Sequence, residues 1–268
     1  MQESIDNMNI TLKVTELSVT IHEKKIVNNV SFELAKHNIT TIIGPNGAGK
    51  STLIKAIAGD LAMQQGNIEF NGKKIDPQAS STERARSIAV LPQLSLLNFP
   101  YTCLEVILLG RIPHATGTII DKGIAQECLN LVDMGGFTHR TYPELSGGEK
   151  QRIQLARVLA QVWRQQDSNE SRLLILDEPI ALDLGHQQLL MTVLREFTQQ
   201  NTSILMVLHD INTAIAYSDR LLAMLDGKLI ANGAINDVLN PNIMKRLFGI
   251  DCKIIDHPET GNPVVLNN

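Results

Sequence analysis

Apolar and polar residues alternate near the start of the chain, at Ile10, Leu12 and Val14 and again at Val30, Phe32 and Leu34. A period of two predicts strands of a half-buried antiparallel sheet. Asn67-Ile68-Glu69-Phe70 followed by Asn71-Gly72 adds a hairpin, because Asn and Gly accept the positive φ of the turn that joins two twisted strands. Ile39–Ile43, Leu173–Leu176 and Ile204–Leu208 are instead continuous runs without charge, the mark of parallel strands buried on both faces. Each run ends in polar residues: the stretch Gly44–Thr52, the pair Asp177-Glu178, and His209-Asp210. Open α/β sheets bind ligands beyond the carboxyl ends of their strands, so three distant segments are expected to converge on one site.

Residues from about 94 to 170 have a helical pattern, with Pro100, Pro113 and Pro143 at expected boundaries. They predict a helical subdomain inserted into the sheet, with the polar stretch Gln165–Ser171 as a surface loop at its end. From about residue 240 a C-terminal tail carries turn signals at Pro241, Pro258 and Gly261. The expected fold is therefore α/β: a mostly parallel core sheet, an N-terminal antiparallel β layer and the helical insertion, in a single domain spanning residues 1–268.

Composition narrows the class. The chain has 268 residues, 43% of them hydrophobic, enough for a substantial core. Net charge −4, with 19% charged residues, shows no basic excess, so no nucleic-acid partner is expected. Cys103, Cys128 and Cys252 are odd in number and lack C-x-x-C spacing, which argues against a disulfide framework and a zinc site. They read as small hydrophobes in a reducing compartment. No apolar stretch approaches the roughly 20 residues that span a bilayer, and Met1–Asp6 lacks the features of a secretory signal. A cytosolic location is expected, with any membrane-spanning part supplied by another chain.

Gly44-Pro45-Asn46-Gly47-Ala48-Gly49-Lys50-Ser51-Thr52 satisfies G-x-x-x-x-G-K-[ST] directly after an apolar run. Its glycines let successive backbone N–H groups curl around phosphate oxygens, Lys50 supplies a cation and Ser51 a hydroxyl for Mg²⁺. Residues 51–58 predict a helix whose N-terminus points at the phosphates. Asp177 and Glu178 follow a buried strand. The first suits Mg²⁺, directly or through water, and the second suits orienting or deprotonating an attacking water; the same pair could merely cap a following helix. In Leu145-Ser146-Gly147-Gly148-Glu149-Lys150-Gln151-Arg152, Ser146 and Glu149 have capping-box spacing before the apolar pattern Ile153, Leu155, Ala156, Val158 and Leu159. Gly147 and Gly148 leave backbone N–H groups, with the Ser146 hydroxyl, open to an anion at that helix end.

These elements, with Gln93 and His209, stand in the order found in ATP-binding subunits of ABC transporters, and the chain resembles that family over about residues 10 to 240. The resemblance implies the P-loop ABC ATPase fold, ATP and Mg²⁺ as ligands, and a head-to-tail homodimer. In that dimer each ATP is sandwiched between one copy's phosphate loop and the other copy's Ser146, Gly147 and Gly148. It further implies that Gln93 touches Mg²⁺ and the attacking water and senses a membrane partner. Glu178 would be the base, His209 would contact the γ-phosphate, and Asp183 would couple the two ATP sites. Two departures stand out: Ile180 occupies a place where Ser or Thr is usual, and Leu17–Glu23 holds no aromatic residue to stack on adenine, leaving Val19 or His22.

Pro92–Thr102, Glu105-Val106 and Gly110–His114 are similar to ATPases of importers for iron chelates, heme and cobalamin, and His209–Ala214 with Asp219-Arg220 fits the same group. Ala160–Trp163, the polar extension before Arg172, and Leu182–Gln187 look most like hemin-import subunits. The implied partners are two polytopic permease subunits and, indirectly, a periplasmic binding protein, with the chain peripheral to the cytoplasmic face of a bacterial inner membrane. Ferric-siderophore or cobalamin import remains the alternative cargo. A soluble ABC ATPase outside transport remains the alternative class. His114, His139 and His186 are expected to be solvated or loop residues, since such a subunit energises transport without touching cargo.

Overall fold

The computed structural model describes residues 9–75, 82–93, 99–163, 170–179 and 184–267. The chain divides into two compact units, Met1–Ala79 with Ser203–Asn268, and Ser80–Thr202.

The first unit opens with β1 (Ile10–Ile21) and β2 (Lys24–Ala35), antiparallel from Ile10↔Ala35 to Ile21↔Lys24. His22 and Glu23 make the turn between them, both at positive φ (45° and 64°). After β3 (Ile39–Ile43) and α1 (Lys50–Ala58), β4 (Gln65–Phe70) and β5 (Lys73–Ile75) complete an antiparallel sheet in the order β2-β1-β4-β5. The Asn71-Gly72 turn stands at φ 50° and 74°, as the hairpin signal predicts. The period-two residues Leu12, Val14, Val30, Phe32 and Leu34 are all buried. Between Val14 and Leu17 the β1–β2 register shifts, with Glu16 at φ 52°, so β1 is bulged there.

In the second unit α2 (Thr82–Ser87) leads into β6 (Ile88–Leu91), which pairs parallel with β7 (Arg172–Asp177) from Ile88↔Leu173 to Leu91↔Leu176. Parallel neighbours need a long crossover. Here it contains α3 (Cys103–Leu108), α4 (Thr118–Leu131) and α5 (Gly147–Gln161). Ile107, Cys128, Leu129, Ile153, Ala156 and Leu159 are buried where these helices meet. Pro100 precedes the Thr102 N-cap of α3, Pro113 follows the 3-10 turn Leu109–Arg111, and Pro143 lies in the 3-10 turn Tyr142–Glu144. Each proline stands where a missing N–H is tolerated. α6 (Leu184–Gln199) follows β7.

The chain returns to the first unit through β8 (Thr202–Val207), parallel to β3 from Ile39↔Ile204 to Ile42↔Val207. α7 (Ile211–Tyr217) then leads to β9 (Arg220–Leu225), parallel to β3 on its other side, and β10 (Lys228–Ala234) turns back antiparallel. The resulting order is β10-β9-β3-β8. Beyond α8 (Ile235–Val238), in the tail where turns are expected, the chain forms α9 (Pro241–Phe248) and a hairpin of β11 (Cys252–Asp256) and β12 (Pro263–Asn267). The hairpin is tied to α7 by Asn212, which donates to the Val265 carbonyl (3.1 Å) and accepts from its N–H (2.8 Å). No described helix is long and apolar enough to cross a membrane.

Two glycines of the antiparallel sheet separate backbone strain from steric collision. Gly66 (φ 110°) leaves no room for a Cβ, which would lie 2.7 Å from Leu17 Cα and from the Thr15 carbonyl oxygen, whereas Gly72 (φ 74°) has nothing within 4 Å. Gly66→Ala is expected to destabilise the protein by about 2–3 kcal/mol, and Gly72→Ala by about 1 kcal/mol from left-handed strain alone. Thermal unfolding of the two variants checks that order.

Candidate functional site

In the first unit β3 ends at Ile43 and the chain turns through Gly44–Gly49 into α1. Gly44, Gly47 and Gly49 all have positive φ (150°, 80° and 99°). Asn46 and Gly47 form the exposed rim of the loop, and a Cβ at Gly47 would meet nothing within 4 Å. Pro45 is half-buried, while Gly44, Ala48 and Gly49 are buried. Lys50 is buried, and its Nζ donates to the carbonyl oxygens of Gly44 (2.8 Å) and Pro45 (2.9 Å). Ser51 and Thr52, half-buried, lie in the first turn of α1, which has no acidic residue and no side-chain cap. Its N-terminal N–H groups and dipole are thus not countered by the helix's own side chains, the arrangement that suits a phosphate. β8 runs beside β3 in the same direction, and the exposed His209 follows its end. The next residue, Asp210, caps α7 by accepting from the Thr213 N–H at 2.6 Å.

In the second unit the parallel pair β6 and β7 delivers Gln93 and Asp177-Glu178 from adjacent strand ends. Asp177 is 3% exposed. The Gln93 amide donates to Glu178 Oε2 at 2.6 Å, and the Gln151 amide donates to the Glu178 carbonyl oxygen at 3.4 Å. Glu178 itself has φ 55°, in the left-handed region. At the start of α5, Ser146 and Glu149 form the expected capping box. The Glu149 N–H reaches Ser146 Oγ at 3.3 Å, and the Ser146 N–H donates to Glu149 Oε2 at 2.8 Å. Those contacts with Ser146, backbone first and side chain second, hold the Glu149 carboxyl below the ordinary glutamate range. Ser146 and Gly147 are exposed and Gly148 half-exposed, leaving this helix end accessible. Asp183 and Ile180 lie outside the described residues.

Val19, one of two residues considered for adenine, is 1% exposed within β1 and faces Val27, so its side chain belongs to the core. His22 is exposed in the β1–β2 turn. Of the other histidines, His139 is exposed. His114 is half-buried in a loop, its Nε2 bonded to the Gln161 carbonyl at 2.7 Å. Burial holds its imidazole below the usual value, and that hydrogen bond works against the shift. His186 lies in α6 rather than a loop, and is partly buried. All three cysteines are buried and free. Burial pushes the Cys103 thiol up to about 11 and Cys128 higher still, so neither is a reactive thiolate. Gln151 was legible as part of the Leu145–Arg152 motif, but its contact with Glu178, 27 residues away, has no signal in the sequence.

A glycine loop between a buried parallel strand and a helix, together with an Asp-Glu pair ending another parallel strand, defines a P-loop nucleotide-binding protein of α/β class. The ABC transporter family model matches residues 27–181, and the chain belongs to that family. It is 39% identical over 256 residues to the hemin import ATP-binding protein HmuV of Pseudomonas fluorescens, covering 95% of this chain and 99% of that one. Identity to HmuV of Gloeobacter violaceus is 40% over 258 residues, covering 95% and 93%. Among solved structures, an inward-facing conformation of a metal-chelate type ABC transporter aligns with TM-score 0.79 at 26% identity, over 97% of this chain and 98% of that one. An ATP-binding cassette of an ABC transporter in its ADP conformation aligns with TM-score 0.74 at 26% identity, over 88% and 97%.

The Ser146–Glu149 cap has a pH signature. Because the folded value of Glu149 is depressed below 4.5, its contribution is fully present above about pH 4.5 and is lost as pH falls through the folded value. Glu149→Gln keeps the reciprocal hydrogen bond but cannot titrate. The melting-temperature difference between wild type and this variant is therefore expected to shrink as pH falls from 7 to 3, a trend that parallel melts at stepped pH check.

Proposed function

We propose that the chain is the ATP-hydrolysing subunit of an importer that carries hemin across a bacterial inner membrane. The observation that supports hydrolysis most directly is the end of β7, where buried Asp177 precedes Glu178 with its carboxylate held by the Gln93 amide at 2.6 Å. ATP is the substrate. Its phosphates lie against the Gly44–Thr52 backbone, and the Lys50 ammonium exchanges loop carbonyls for phosphate oxygens. Mg²⁺ would be held by Ser51, Asp177 and Gln93, a hydroxyl, a carboxylate and an amide oxygen, all hard donors that fit this ion. When bound, it neutralises charge on the β- and γ-phosphates. Gln93 suits a double role, since its Nε2 engages Glu178 while Oε1 faces the opposite way on the amide plane.

Glu178 accepts the proton of the attacking water, and His209 donates a hydrogen bond to the γ-phosphoryl oxygens as charge develops there. Ser146, Gly147 and Gly148 serve the ATP of a second copy arranged head to tail, and Asp183 links the two sites. All 268 residues act as one ATP-binding domain. The partners are two polytopic permease subunits and, indirectly, a periplasmic binding protein, and the subunit sits peripherally at the cytoplasmic face. The names of the relatives support hemin as cargo. A second reading, import of another metal chelate such as a ferric siderophore, is favoured by the metal-chelate transporter among the structural matches.

Glu178→Gln is expected to keep ATP binding while turnover falls by roughly two orders of magnitude or more, as loss of a general base does. Near wild-type hydrolysis would remove Glu178 from the base role. For cargo, a deletion strain should lose growth on hemin as sole iron source and keep growth on a ferric siderophore; the reverse pattern selects the second reading.

A further inference from the structure

A contact that the proposed chemistry leaves unused joins Gln151 to the backbone of Glu178. A long-chain L-residue adopts φ 55° only where its surroundings hold it there. The following Pro179 adds to the difficulty, because it biases the preceding residue toward extended backbone. Proline also lacks an N–H, so the peptide unit joining residues 178 and 179 has its carbonyl as its one hydrogen-bonding handle. Gln151 Nε2 occupies that handle at 3.4 Å, while Gln93 Nε2 holds the carboxylate at 2.6 Å. One amide fixes the peptide, and the other fixes the side chain.

We infer that Gln151 is a positioning residue for hydrolysis, holding the Glu178 peptide so that its carboxylate stays aimed at the attacking water. This rests on the reading of Glu178 as the base. A donor on the carbonyl oxygen resists rotation about φ of Glu178, the N–Cα rotation that would swing carbonyl and side chain together and release the left-handed conformation. Gln151 also lies little more than one turn into α5 from the Ser146 N-cap. The helix whose first residues are Gly147 and Gly148 therefore grips the base of its own chain. A helix is stiff over so short a span, so whatever engages its N-terminus also bears on the orientation of Glu178.

The test is steady-state and single-turnover ATP hydrolysis by the purified full-length chain carrying Gln151→Ala or Gln151→Glu, each alone and combined with Glu178→Gln. Glu at 151 matches Gln in shape but presents a carboxylate oxygen to the carbonyl instead of a donor. Expected is a fall in kcat of about three- to tenfold for Ala, the scale of one hydrogen bond, and a larger fall for Glu. The KM for ATP and the melting temperature should stay at wild-type values. In the Glu178→Gln background neither change should lower residual hydrolysis further, because the group being positioned is gone. Wild-type kcat in both single variants overturns the proposal, as does an equal fall in both backgrounds or a fall matched by lost melting temperature. Failure of the base reading registers separately, as undiminished turnover of Glu178→Gln alone.

Discussion

Burial of the central strands on both faces is the constraint from which the rest follows. β3, β7 and β8 are buried at every position, and a polar group along such a strand must find a partner inside the protein or bear the cost of losing water. Thr41 pairs with Ser218, and Ser203 pairs with Thr11 and with the Ala35 carbonyl, whereas the buried hydroxyls of Thr40 and Thr202 on the same strands have no hydrogen-bond partner among the described residues and bear that cost. Charge is therefore expelled to the strand ends. In the first unit those ends carry the glycine loop and His209, and in the second they carry Gln93 and Asp177-Glu178.

The helix starts are differentiated in a way that matches this division. α1 spends none of its N-terminal donors on its own side chains and places no acid near them, so its field is available to an incoming anion. α5 satisfies part of its own N-terminus through Ser146 and Glu149, and the Glu149 carboxylate offsets part of its dipole. The two helix ends thus differ in how much of their N-terminal field is offset by their own side chains.

Much of this was legible in the sequence because it follows from periodicity and from residue chemistry. Alternation located β1 and β2, charge-free runs located the parallel strands, and Asn71-Gly72 marked a turn that few other pairs accept. The turn at His22-Glu23 was not legible, since the pair lacks the Gly, Asn or Asp that marks a tight hairpin and Glu23 in particular is uncommon at positive φ. The left-handed Glu178 and its two amide contacts were hidden for the same reason: they depend on residues 85 and 27 positions away, brought near by the packing of β6, β7 and α5. The β11–β12 hairpin went unseen because five-residue strands give weak periodicity, whereas α9 was legible in principle, with Asn240 at its N-cap, Pro241 at its first position and Gly249 at its C-cap. Val19 was a candidate for adenine by position in the chain, but its place on the inner face of β1 commits it to the core.

The glycines of the phosphate loop face inward as well as outward. A Cβ at Gly44 would collide with the Met224 carbonyl oxygen, and one at Gly49 would lie 2.7 Å from the Ile26 carbonyl oxygen. The loop is thus keyed by backbone contact into β9 on one side and β2 on the other. Its shape is inherited from two strands that carry no chemistry, and its tolerance to sequence change is set partly at residues 26 and 224. A survey confined to side chains that touch nucleotide would overlook both positions, although a shift of either strand would alter the curvature of the cradle and with it the grip on phosphate.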